Sequence, residues 1–349
     1  MITQLYINSS AIVAPCIAIN TVSPKFELAS PFNGTMRIKE KDFSKHIPLN
    51  TSRRISSLGQ WSLYAALSAV CENSNINPDC IITATGMGCV NETDNFLSQL
   101  INPENEIYSP TPFIQSTHNS IGGLIAMSLK NNQYNITFSN RNASFENALI
   151  DANICNSQEI LIGAFEEISP FSQQAIELHY PINKNINDLF TLYDKEQNGM
   201  LIGEGSVFYC MSNICSDNST SLIDDISIID SNDDKIILDK DIEICLKKLN
   251  KNHNYDAIIM GCNGINLYDK WYHYIAKRHF PKVPILKYKH IVGESYTASA
   301  MALWFANQLF SNLDLIDYLL PDKPIHDLKE ILIYNYFNNT HCFISLKKQ

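Results

Sequence analysis

The chain has 349 residues, 45% hydrophobic and 18% charged, a balance suited to a globular protein with a large core and about two domains. A formal net charge of −10 argues against nucleic acid, whose phosphates need clustered Lys and Arg, and against a broad anionic membrane surface. Any acidic partner would need a local basic patch.

The opening Met1-Ile2-Thr3-Gln4-Leu5-Tyr6-Ile7 has no basic stretch ahead of an apolar core, so no secretory leader is expected. No run reaches the about 18 apolar residues of a spanning helix, and no membrane insertion is expected. The cysteines at 16, 71, 80, 89, 155, 210, 215, 245, 262 and 342 form no CxxC pair and lack metal-type spacing with His. Reduced, mostly buried thiols in a cytoplasmic protein are expected, with no metal and no cofactor.

Residues 2–15 alternate loosely and break at Pro15, as a first strand would. From Ser52 to Val70 apolar residues recur at spacings of three and four, predicting a helix. Residues 81–85 read as a short buried strand, followed by a Gly86-Met87-Gly88 turn and a helix over 92–101. Ile121 to Leu129 is a helix of small residues, 135–139 a strand, 144–153 a helix, 160–164 a buried strand and 207–211 another. The polar stretch 212–222 reads as a linker, which sets halves at 1–215 and 216–349. The second half continues with strands at 225–230, 256–260 and 283–287, and helices at 239–250, 269–278 and 296–310. It closes with strands at 330–336 and 341–346. Strands alternating with helices over two halves predict α/β layers and mostly parallel sheets.

Four stretches carry a resemblance. The first runs from Pro112 through Thr117-His118-Asn119-Ser120-Ile121-Gly122-Gly123 and Asn135-Ile136-Thr137-Phe138-Ser139 to Leu149. The second, most specific, is Tyr193-Asp194-Lys195-Glu196-Gln197-Asn198-Gly199 through Gly203-Glu204-Gly205. The third is Gly261-Cys262-Asn263-Gly264-Ile265 through Asp269, and the fourth Lys289-His290-Ile291-Val292-Gly293-Glu294. In this order the chain resembles the β-ketoacyl-[acyl-carrier-protein] synthases of the thiolase superfamily. The resemblance implies a five-layered αβαβα fold from two pseudo-equivalent halves. It also implies a dimer in which the first-half sheets pair.

The family's chemistry needs a thiolate to carry the acyl chain and two imidazoles to stabilise the enolate and oxyanion. By register, the nucleophile position falls on Asn142, with Arg141, Ala143 and Ser144 beside it. An amide forms no thioester, and Asn suits a helix cap. The first His position falls on Gly261 and the second on Glu294, whose charge would repel an oxyanion. Loss of one member of such a unit typically costs about 10⁴ to 10⁶ in rate. No catalytic residues are therefore expected. Lys289, Asp269 and Phe337 are retained family positions. Lys289 is open to a salt bridge with Glu294, and Phe337 sits where the family carries a Gly-rich gate, here replaced by Asn338-Asn339. A rescuing pair of Cys262 or Cys89 with His118 has no spacing argument behind it. The other histidines, at 46, 179, 253, 273, 279, 290, 326 and 341, read as surface or packing residues.

This pattern of loss resembles the chain length factors of type II polyketide systems and the inactive partners of aryl polyene and flexirubin-like pigment pathways. It implies a non-catalytic subunit that pairs with an active ketosynthase, or with itself, and meets acyl carrier protein indirectly. Phe113, Thr117, His118, Ile121 and Gly122 would then shape the tunnel end, with plain interface packing as the alternative. Local docking candidates are Arg53-Arg54 and the run Lys277-Arg278-His279 to Lys289, each open to being a solvated face. The competing function is a diverged acyltransferase with a non-standard active site.

Overall fold

A computed structural model describes residues 4–17, 26–39, 42–72, 76–102, 108–155, 157–230, 239–249 and 255–349. Residues 2–3 of the expected first strand, residue 250 of the expected helix and His253 lie outside the described residues.

The first half contributes β1 (Leu5–Val13), α1 (Ser57–Glu72), β2 (Cys80–Ala84), α2 (Val90–Ile101), α3 (Pro110–Gln115), α4 (Ser120–Leu129), β3 (Tyr134–Phe138), α5 (Ser144–Ile154), β4 (Ile160–Glu166), α6 (Pro170–His179) and β5 (Gly205–Ser212). The second contributes β6 (Ser221–Asp230), α7 (Asp239–Leu249), β7 (Ala257–Met260), α8 (Asn266–His279), β8 (Ile285–Lys287), α9 (Ala298–Leu309), β9 (Glu330–Phe337) and β10 (Thr340–Lys348). The strands hydrogen-bond in the order β3-β2-β4-β5-β1-β6-β10-β9-β7-β8. Read outward from the centre, β1-β5-β4-β2-β3 mirrors β6-β10-β9-β7-β8, so one pattern of five strands occurs twice. The parallel strands lie outermost in each leaf, where helical crossovers connect them. The two leaves meet where Leu5–Ile7 runs antiparallel to Ser221–Ile223.

Burial explains the layers. Every residue of β4 and β5 is buried, as strands covered on both faces must be. α9 is buried on nearly its whole circumference, the mark of an inner helix. It touches β9 and β10 of its own half and β1 and β5 of the other, while α5 touches β2, β3, β4 and β6. One core therefore surrounds both inner helices. α1 and α4 cover the outside of the first leaf, and α7 and α8 the outside of the second. The αβαβα layering is thus present. The stretch expected as a linker is shorter than 212–222: Ser212 ends β5, Ser221 begins β6, and the buried Ser221 hydroxyl donates to Asn307 Oδ1 at 2.6 Å. No described helix is long and apolar enough to cross a membrane.

Candidate functional site

The site lies where the turn after β7, the segment between β8 and α9, the start of α5 and the β9–β10 hairpin converge. After β7 the chain turns through residues 261–265. Asp269, in the first turn of α8, accepts from Asn263 N at 2.9 Å and Gly264 N at 3.0 Å, which holds that turn in shape. Gly261 is enclosed. A Cβ there would stand 2.2 Å from Asn335 Oδ1, 2.8 Å from Tyr272 Oη and 3.1 Å from Lys289 Nζ. No imidazole fits at 261 unless those groups move.

Lys289 and Glu294 fill the space beside it. Lys289 Nζ donates to Glu294 Oε2 at 2.7 Å and to Asn335 Oδ1 at 2.8 Å, and the two charged side chains are 1% and 2% exposed. Asn263 Nδ2 also donates to Glu294 Oε2 at 2.8 Å, and Ser295 N to Oε1 at 3.1 Å. Burial raises the Glu294 pKa, and these donors oppose the rise. The backbone of Glu294 is fixed by a crossing of two glycines: Gly203 N donates to Glu294 O at 2.8 Å, and Glu294 N to Leu201 O at 2.7 Å. A Cβ on Gly203 would fall 2.0 Å from Val292 O, which accounts physically for the Gly-Glu-Gly stretch at 203–205. Glu204 of that stretch accepts from Ile38 N at 2.8 Å and Ile168 N at 3.3 Å; burial pushes its pKa up to about 7.

On the opposite side, the chain leaves β3 and turns at Arg141, whose φ is 45°, a left-handed conformation unusual for a non-Gly residue. Asn142 is buried, and its Nδ2 donates to Phe337 O. Arg141 is exposed in this turn, whereas Asn142 is not. Phe337 is packed among Tyr180, Tyr268 and Tyr296, with ring centroids 5.1, 5.9 and 6.0 Å away. Asn338 and Asn339 follow at φ 49° and 67° and close the β9–β10 hairpin in two residues, both left-handed, as such a turn requires.

Two cavities with wall residues in common open here. The inner one, lined by residues including Met87, Glu166, Ile176, Tyr180, Glu294, Tyr296 and Phe337, has about 30 Å³ of free volume. That is room for water and not for an acyl chain. The outer one, of about 490 Å³, shares Met87, Ile176, Tyr180 and Tyr296 with it and adds Gly86, Arg141, Ala175, His179 and Asn338. Glu166 accepts from Gly86 N, and burial pushes its pKa up to about 8. Glu167 accepts from Asn91 N at 3.0 Å and Asn91 Nδ2 at 2.7 Å. The sequence reading missed Arg141, Glu166, Tyr180 and Tyr296 as cavity residues. Two adjacent carboxylates closing the apolar run 160–165 were the available signal for Glu166. The others come from distant segments and carry none.

The expected tunnel residues do not line these cavities. Phe113, Thr117 and His118 are exposed on and after α3, with Phe113 5.1 Å ring to ring from Phe96. Ile121 turns into the core under α1, because its helical phase opposes the exposed face, so it is not a surface residue. Gly122 is buried against Asn135, whose Nδ2 donates to Gly122 O at 2.9 Å. His118 packs its ring against Gly88. The Cys89 thiol lies 3.3 Å from Ser120 Oγ, and burial pushes its pKa up to about 12. Burial also raises the Cys262 thiol. The Cys–His contact found among the described residues joins Cys71 and His46 at 3.9 Å, not Cys89 or Cys262 with His118. Arg53 and Arg54 are exposed, but the basic run from Lys277 does not form one surface, because Lys289 at its end is buried. No group of three or more His, Cys, Asp or Glu able to hold a metal occurs among the described residues.

The floor is therefore a neutralised ion pair, and Arg141 lines the outer cavity beside His179. Residues 33–183 match the family model described as "Beta-ketoacyl synthase, N-terminal domain". A search of the curated proteins returns no match. Among solved structures, the ishigamide ketosynthase/chain length factor aligns over 100% of both chains at 14% identity and a TM-score of 0.77. A β-ketoacyl synthase from Burkholderia phymatum covers 99% of this chain and 100% of its own at 13% identity, TM-score 0.77. The ketosynthase in complex with its chain length factor from Xenorhabdus doucetiae covers 99% and 98% at 12% identity, TM-score 0.73. Residues 33–183 are thus similar to a β-ketoacyl synthase N-terminal domain, and the fold throughout is that of these ketosynthase structures.

Proposed function

We propose that the chain is a non-catalytic, chain-length-factor-like subunit that pairs with an active ketosynthase in fatty-acid-like or polyketide pigment biosynthesis. The observation that carries this reading is the closed floor: Gly261 has no room for a side chain, and Glu294 is bound to Lys289 at 2.7 Å. A buried, neutralised carboxylate cannot replace an imidazole that must donate to a developing oxyanion.

A partner surface supports the same reading. β3 lies at an edge of the sheet and pairs only with β2 among the described residues. Tyr134 on the strand is 45% exposed, and Met127, on the α4 helix that contacts it, is 78% exposed. Open edges flanked by apolar side chains recruit another strand or chain. Phe113, Thr117 and His118 are likewise exposed, on and after α3. They would meet the partner's tunnel from outside rather than line a tunnel within this chain. Acyl carrier protein would then engage chiefly the active partner.

The test is co-expression with a Cys-containing ketosynthase encoded beside this chain. Co-purification that is lost in Met127→Asp, together with a product length that changes in Thr117→Trp, is expected. Alone, the chain should gain no mass after incubation with malonyl- or acyl-carrier protein. An adduct on Cys89 or Cys262 would instead establish a diverged acyltransferase.

A further inference from the structure

We infer that Arg141 makes the outer cavity a non-covalent binding site for the oxyanion head of an apolar-tailed acid. This is a property of the chain alone and needs no partner subunit. Three observations converge on it.

The first is backbone geometry. Arg141 is held at φ 45°, in a turn where the flanking Asn140 or Asn142 type, or glycine, would sit more easily. A left-handed conformation imposed on a long cationic side chain points to a use for that side chain. The second is its surroundings. Arg141 lines the same cavity as Tyr180 and Tyr296; burial raises both phenols, and the guanidinium charge opposes the rise. It forms no ion pair with any described carboxylate. The outer cavity has no carboxylate among its lining residues, and those of the inner cavity are engaged elsewhere: Glu294 with Lys289, Glu167 with Asn91 and Glu166 with Gly86 N.

The third is shape and polarity. The cavity holds about 490 Å³; Met87, Ala175, Ile176, Tyr180 and Tyr296 give it apolar surface, and Arg141, His179 and Asn338 give it polar surface. An arginine beside such an apolar strip matches an amphiphile with one anionic end. A guanidinium presents paired donors that fit the two oxygens of a carboxylate or phosphate. The inner cavity has only about 30 Å³, so the tail would lie along the outer wall and not pass Phe337.

The test is calorimetric titration of the purified full chain with dodecanoate, dodecyl phosphate and dodecanol below their aggregation concentrations. At least one acid should bind about ten- to a hundredfold more tightly than the alcohol, the gain typical of a charge-assisted hydrogen bond. The tighter acid identifies the head as carboxylate or phosphate ester. Arg141→Gly should abolish the preference for acid without lowering the melting temperature, since glycine accepts φ 45°. Arg141→Gln tests the same loss with a side chain in place. Equal binding of acid and alcohol, no binding of either acid, or a preference retained in both variants would overturn the assignment. Loss of Arg141 anion binding leaves ketosynthase pairing untouched, so the two readings fail separately.

Discussion

The two connections that lead from an edge strand into an inner helix treat a positive charge in opposite ways. After β3, the turn into α5 presents Arg141 at φ 45°, exposed and without a carboxylate partner among the described residues. After β8, the turn into α9 buries Lys289 and joins it to Glu294 at 2.7 Å. The positions are equivalent in the repeated strand order, so topology does not decide the outcome. Burial does. A charge withdrawn from water must be matched on the spot, and a matched charge is no longer available to a ligand. A charge left at a cavity rim has no such requirement and stays open to an incoming anion.

Truncating both cations tests that contrast most sharply. Lys289→Ala strands Glu294 and should cost about 3–5 kcal/mol in urea unfolding, whereas Arg141→Gly should stay within about 1 kcal/mol of wild type. The double variant Lys289→Met/Glu294→Leu should recover most of the loss, because it removes both charges. Equal costs at 289 and 141 would erase the distinction between the two turns.

Filling the floor is the next step down. Gly261→Ala places a methyl 2.2 Å from Asn335 Oδ1 and should cost about 1–3 kcal/mol by overpacking, with partial recovery on adding Asn335→Ala. A neutral Gly261→Ala would mean that the floor yields, and the argument against an imidazole there would fall.

The smallest effect concerns protons. Glu146 is fully buried between the leaves, and burial pushes its pKa from 4.5 up to about 7. Between those values the folded chain keeps a proton that the unfolded chain has released. The stabilisation from this group is complete below pH 4.5 and is lost as pH rises through about 7. Glu146→Gln should flatten the fall in stability over that window by up to about 1 kcal/mol per pH unit, read from urea midpoints. An unchanged slope would show that Glu146 titrates normally and that the core near Lys289 admits more water than its burial implies.

Much of the architecture was legible. Continuous apolar runs marked β4 and β5, and the small-residue stretch marked α4, because burial on both faces and close packing leave their mark on residue type. α6 was missed although its start is written locally: Ser169 caps it with Ser172 in a capping box, and Pro170 occupies its first turn. The site was less legible. The replaced positions Asn142, Gly261 and Glu294 could be placed by register, yet which side chain faces the cavity could not. A left-handed residue at 141 rotates Arg141 outward and leaves Asn142 bonded to Phe337 O, a matter of backbone handedness that residue type does not record.

Linear order alone determined the alternation of strands and helices, and the chemical identity of each side chain at the site: an amide, a glycine and a carboxylate, with no thiol or imidazole among them. Those are properties of single residues and of short-range periodicity, which the chain carries with it unfolded. The tertiary structure alone decided that Gly261 is walled in by Asn335 and Tyr272, that Glu294 is neutralised, that the inner cavity is shut and that Arg141 stands at its rim. Each of those depends on segments tens to hundreds of residues apart meeting within a few ångströms, and distance in space is not written in distance along the chain.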